Sequence, residues 1–66
     1  MIEERHPPET ALHTVQMAMI KPHNAPAFIS QLEEESEDAI KIIVNDQKLV
    51  YRKDRISHII IYYDLS

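Results

Sequence analysis

Glycine is absent from all 66 residues of this chain. Glycine enters the positive-φ regions of the backbone at no steric cost and lets a bare backbone approach a ligand closely. Its absence excludes the loops that cradle a phosphate on main-chain amides: the dinucleotide fingerprint, the P-loop and the strained nucleophile elbow. Turns must be built by other residues, so the expectation is a plain scaffold of helices and hairpins. The question of function then moves from pockets to surfaces.

The length allows one domain. A domain this small buries only about 60% of the surface its unfolded chain exposes, and small domains often add a disulfide, a metal or a partner subunit. Cysteine is also absent, which removes disulfides, zinc knuckles and thiol nucleophiles. Self-association, as a dimer, becomes the expected supplement. Residues 1–6 hold no apolar stretch of the signal-peptide kind, and no run of residues approaches the length of a membrane span. The expected setting is cytoplasmic, with no membrane partner. The formal charge of −4 argues against nonspecific attraction to nucleic acid or anionic lipid.

Residues 1–10 hold Glu3, Glu4, Arg5, Pro7, Pro8 and Glu9 and read as a flexible polar arm. Residues 11–66 read as the single domain. Over residues 11–21, strand alternation places His13, Val15, Met17 and Met19 on one side and Leu12, Thr14, Gln16, Ala18 and Ile20 on the other. Helical spacing instead groups Leu12, Val15 and Met19. Element order favours the strand. Pro22-His23-Asn24-Ala25-Pro26 is a break, with Asn24 a good N-cap and Pro26 tolerated in a first turn. A helix is expected over residues 25–37, with Phe28, Ile29 and Leu32 as its apolar stripe. Its acidic C-terminal end opposes the helix dipole, which implies fraying or a basic partner close by.

Three strands should follow. Residues 39–44 place Ile40, Ile42 and Val44 on one face. Asn45-Asp46 turns the chain, since both tolerate positive φ. Residues 48–52 place Leu49 and Tyr51 opposite Val50. Lys53-Asp54 turns again into residues 56–63. The expected fold class is therefore α+β: a small two-layer domain with one helix on a three- or four-stranded, mostly antiparallel sheet. The expected order is β-α-β-β-β, with α-α-β-β-β as the alternative.

The last strand is apolar on both faces over Ile59-Ile60-Ile61-Tyr62-Tyr63. One helix covers only one face of a sheet, and an exposed strand of this composition invites aggregation. It serves either as a central strand of a small core or as a self-association surface through Ile59, Ile61 and Tyr63.

Charge is unevenly placed. Residues 33–38 hold five acids and no base, whereas residues 48–55 hold Lys48, Arg52, Lys53 and Arg55 against Asp54. The basic cluster reads as solvated charges that discourage edge pairing, as a contact for phosphate or an acidic protein partner, or as a partner for the acidic segment. Only Tyr51 supplies an aromatic beside it, too little for a base-stacking platform.

No HExxH motif is present, and His6, His13, His23 and His58 show no metal-ligand spacing, so neither metal nor cofactor is expected. No serine has an elbow motif around it. In a regular strand Ser57 and His58 point to opposite faces, which excludes them as a nucleophile–base pair, and a chain this short has little volume for a substrate pocket. The expectation is a non-enzyme.

Val50-Tyr51-Arg52, followed by Ile56-Ser57-His58-Ile59, resembles the second Sm motif of bacterial RNA-binding Sm-like proteins. The resemblance covers about ten residues. Tyr51 and Ile56 are one residue further apart than in that motif, the glycine pattern of the first Sm motif is missing, and an Sm barrel has five strands. The resemblance implies RNA as a partner and is too short to assign the family. The functional expectation is a small non-catalytic interaction or regulatory protein that self-associates through its sheet and binds a protein partner. The alternative is a nucleic-acid binder using the basic hairpin 48–55.

Overall fold

The computed structural model describes residues 1–7 and 14–65. Leu12 and His13, and the rest of the stretch between Pro7 and Thr14, lie outside the described residues. Among the described residues six strands follow one another: β1 (Ile2–Arg5), β2 (Thr14–Pro22), β3 (Phe28–Glu35), β4 (Ala39–Val44), β5 (Gln47–Arg52) and β6 (Ile56–Leu65). A 3₁₀ turn, Lys53–Arg55, joins β5 to β6. The strands form one mixed sheet in the order β1-β6-β2-β3-β4-β5. β1 runs parallel to β6, and every other neighbour is antiparallel.

This architecture corrects the expected α+β class. The segment read as a helix, residues 25–37, is the strand β3 and its flanks. Alternation governs it: Ser30 and Leu32 are buried, whereas Ile29, Gln31 and Glu33 are exposed. Pairing on both sides, with β2 and with β4, supplies the backbone bonds that outweigh the helical preference of its glutamates. Its acids do have basic partners, on β4 (Lys41), on β5 (Lys48), in the 3₁₀ turn (Lys53) and on β1 (Arg5). Ile2–Arg5, read as part of a flexible arm, is an edge strand. β2 to β6 form an antiparallel set of five strands, and β1 is added to its β6 edge.

One sheet with no second layer among the described residues can bury a core only by curling on itself. Its inner face carries Ala18 and Ile20 from β2, Leu32 from β3, Ile40 and Ile42 from β4, and Ile56, Ile59 and Ile61 from β6, all nearly solvent-free. Each buried isoleucine contributes about 1.5–3 kcal/mol of transfer free energy. The registers match these residues directly: Ile20 faces Ile59, Ala18 faces Ile61, and Leu32 faces Ile42. Phe28 and Tyr51 close one end, with ring centroids 5.8 Å apart although β4 lies between their strands.

Two irregularities reset the alternation. On β6 the register shifts opposite Lys21/Pro22, so that Pro22 faces Ile56 and Lys21 faces His58. Ile56 thereby joins Ile59 and Ile61 inside, although it is three residues from Ile59. On β3 the register shifts between Leu32 and Glu34, and Glu35 turns to the inner side opposite Ile40. At the β4–β5 hairpin Asn45 and Asp46 have φ of 51° and 63°. They take the left-handed positions that glycine would fill at lower cost.

Candidate interaction surfaces

The strand pleat divides the sheet into the inner core and an outer face. Opposed residues across a ladder share a face, so Met17 with Tyr62, Met19 with Ile60 and Ile29, and Gln31 with Ile43 all lie outside. Met17, Met19, Ile43, Ile60 and Tyr62 are half-buried, and Ile29 is 61% exposed. Together they form an apolar patch across β6, β2, β3 and β4. This placement bears on the interface expected from the sequence. Ile59 and Ile61 are covered by their own chain, at 2% and 1% exposure, while Tyr63 is 39% exposed. The apolar face of β6 left toward solvent carries Ile60 and Tyr62 instead. The sequence showed a strand apolar on both sides; without the curl it could not show which side becomes core.

The basic cluster is divided. Lys48 Nζ lies 3.2 Å from Glu33 Oε1, and Lys53 Nζ lies 2.9 Å from Glu35 Oε2. Arg52 Nη2 lies 2.9 Å from Asp54 Oδ2, a local pair with both side chains well exposed. Arg55 has no ion pair among the described residues. Two lysines are thus spent on the acidic strand, which matches the third reading of the cluster, with a strand in place of the helix. Lys41 adds a contact with Glu34 at 3.1 Å. Such exposed pairs contribute about 0–1 kcal/mol each.

Glu35 differs from the other acids. Its Oε2 accepts from Arg5 Nη2 at 2.6 Å and from Lys53 Nζ at 2.9 Å. Arg5 also donates to Glu3 at 2.8 Å. The Arg5 hydrogen bond holds the Glu35 carboxyl below its ordinary range, partial burial pushes the other way, and Lys53 adds to the lowering. The same contacts raise Arg5. Sequence reasoning missed this cluster because Arg5 fell in the presumed arm and the inward turn of Glu35 depends on an irregularity in β3.

The two arginines line one open cleft of about 630 Å³, between the turn after β2 and the end of β5. Pro22, Ala25, Val50 and Tyr51 give it apolar walls; His23, Arg52 and Arg55 give it cationic or polar edges, and Asp54 stands beside them. The His23 amide ties its two sides by donating to the Arg55 carbonyl at 3.1 Å, and on the β2 side Lys21 Nζ braces the turn by donating to the carbonyls of Pro22 and Ala25 at 2.7 and 2.8 Å. The volume falls in the range of small binding sites, about 300–1,000 Å³.

The remaining histidines are dispersed. His6 Nε2 lies 3.3 Å from Glu4, and His13 lies outside the described residues. Ser57 Oγ is 2.8 Å from His58 Nδ1, a contact that strict alternation forbids and that the irregularity in β6 creates. The expectation that these two residues point apart is corrected. The Glu4 carboxylate lies on the His6 ring, and no described carboxylate forms an ion pair with His58 to orient it as a catalytic base would require. Among the described residues no three of His, Asp and Glu converge as a metal site. No helix among them is long and apolar enough to cross a membrane.

No protein-family model, curated protein or solved structure matches this chain.

Proposed function

We propose that the protein is a small, non-catalytic interaction module that pairs with a second copy of itself through the outer face of its sheet and binds a protein partner, in a cytoplasmic setting. The observation that carries the self-association is the apolar patch of Met17, Met19, Ile29, Ile43, Ile60 and Tyr62 outside the core. A 66-residue chain without disulfides gains stability by covering such a patch. A second copy meets it with the same residues about a two-fold axis, the commonest arrangement among soluble oligomers. Ile59, Ile61 and Tyr63, the interface residues expected from the sequence, share the inner side of β6, so the proposed interface replaces them with Ile60, Tyr62 and the outer residues of β2, β3 and β4.

Sedimentation at micromolar concentration tests this. The wild type should sediment as a dimer, and Ile29→Glu, an exposed position, should give a folded monomer. A wild-type monomer, or a dimer that Ile29→Glu leaves intact, would remove the proposal. The nucleic-acid alternative on Lys48, Arg52, Lys53 and Arg55 is supported by the two arginines, since both lysines have acidic partners. It requires oligonucleotide affinity that falls steeply with salt and drops when Arg52 and Arg55 become Glu.

A further inference from the structure

β5 is an edge strand, bound to β4 on one side and to no described strand on the other. In a two-residue hairpin the residues flanking the turn form a hydrogen-bonded pair. Val44 faces Gln47 across the Asn45-Asp46 turn. Alternation then directs the amides and carbonyls of Gln47, Leu49 and Tyr51 to β4 and those of Lys48, Val50 and Arg52 to the free edge. An open row of main-chain groups is a template for another strand. Edges are commonly blunted by charge, and Lys48 and Arg52 sit at the two ends of this one. Between them, however, lie Leu49 at 41% and Val50 at 66% exposure, apolar side chains that only a partner would cover. The Arg52 end of the edge opens into the cleft that also holds Arg55.

We propose that the free edge of β5 takes an extended peptide as a seventh strand, with a carboxylate of that peptide in the cleft between Arg52 and Arg55. This names the chemistry of the protein partner proposed above and rests on that part of the reading, not on self-association. Main-chain bonds to Lys48, Val50 and Arg52 supply affinity, Val50 and Leu49 meet alternate side chains, and the arginines select the acid. Arginine suits this task because its planar fork binds a carboxylate in two places. Arg55 has no ion pair within the described residues, and the Arg52–Asp54 pair is well exposed and open to exchange. The backbone bond from His23 to Arg55 holds the cleft in place before the peptide arrives. The other free edge, β1, is a poor occupant from a second copy: Glu3 holds Arg5, and Glu4 faces His6.

The test uses a peptide the length of β5, alternating Thr and Val and ending in Asp-Glu, followed by amide NMR and hydrogen exchange. Saturable binding should slow exchange at Lys48, Val50 and Arg52 and shift His23 and Arg55. Arg55→Ala, at an exposed residue without an ion pair, should keep its dispersed spectrum and lose about tenfold in affinity. A peptide with Asn-Gln and an amidated end should lose as much, and changing the side chains or the terminus alone shows which carboxylate is bound. N-methylation of the peptide amides that face β5 should abolish binding. Ile29→Glu should bind the peptide as the wild type does, so loss of the dimer and loss of this site are read separately. The proposal is overturned if the peptide leaves β5 exchange unchanged, if the N-methylated or uncharged peptide binds equally, if Arg55→Ala retains affinity within about twofold, or if the shifts fall on Met19 and Ile60 instead. Pairing of β5 with a second copy, seen as dimer-dependent protection of the same amides without peptide, also overturns it.

Discussion

Arg5 Nη2 and Glu35 Oε2 lie 2.6 Å apart although 30 residues separate them in the chain. Arg5 stands on β1 opposite Ile61, and Glu35 stands at the end of β3 opposite Ile40. Two strands, β6 and β2, lie between them in the sheet. The ion pair therefore spans the hollow of the curled sheet and clasps its β1 side to β3.

Glu35→Gln should lower stability at neutral pH by about 1–2 kcal/mol, the scale of hydrogen bonds to charged groups discounted for partial exposure. The folded state holds Glu35 below its ordinary pKa of 4.5, so between those two values the unfolded chain binds more protons and stability rises with pH. The contribution is complete above about pH 4.5 and is lost as pH falls through the folded value. Denaturant titrations of wild type and Glu35→Gln should differ at pH 7 and converge on acidification. A gap that persists at the acid end would contradict the ion pair as its source.

Ser30→Ala should stabilise the protein by about 1 kcal/mol, since a buried hydroxyl without a partner bears a desolvation penalty of about 1–3 kcal/mol. Ser30 is 2% exposed, faces Ala18, and its Oγ has no hydrogen-bond partner among the described residues. Urea unfolding reads the change as a higher midpoint at constant slope. A loss of stability would show that the hydroxyl is satisfied in solution.

Asp46→Gly should stabilise the β4–β5 hairpin by about 0.5–1 kcal/mol, because Asp46 at φ 63° occupies a position where glycine has no Cβ penalty. The added freedom of glycine in the unfolded chain sets the upper limit. Thermal unfolding of the variant should shift upward. An unchanged or lower midpoint would mean that the aspartate side chain contributes more than its backbone costs.

Ile61→Ala should cost about 2–5 kcal/mol, as for other large-to-small changes in a packed core. Ile29→Ser, on the outer face, should change the stability of the monomer by less than about 0.5 kcal/mol. Reversal of that ranking in denaturant midpoints, measured below the dissociation concentration, would exchange the assigned inner and outer faces.

Much of the sheet was legible because its strands obey simple rules. Ile40, Ile42 and Val44 alternate, Asn45-Asp46 can adopt positive φ, and the two sides of residues 14–20 separate cleanly. β3 was not legible for a physical reason. Phe28, Ile29 and Leu32 satisfy helical spacing as well as they fit a strand, and the glutamates that follow favour a helix locally. What decides the matter is pairing with β2 and β4, a long-range term that no window of residues contains. β1 has no exposed–buried alternation to read, since all four of its residues are exposed. The candidate surfaces were legible in composition and not in geometry. The four cations were visible, but their division into two paired lysines and two cleft arginines depends on register with Glu33 and Glu35. The two apolar faces of β6 were visible, and only the curl assigns one of them to the core.

The parallel pairing of β1 with β6 has a kinetic consequence. β1 precedes the other described strands in the chain, yet its one partner among them, β6, follows all the rest. The β4–β5 hairpin can close over a two-residue turn within microseconds, and β3 can add to it through a short loop. β1 must wait for a loop of more than 50 residues to close, at an entropy cost that local contacts do not repay. Assembly therefore proceeds from the middle of the chain outward and ends with β1 docking on β6. In the finished protein the same strand should be the first to open and the first to exchange its amide hydrogens.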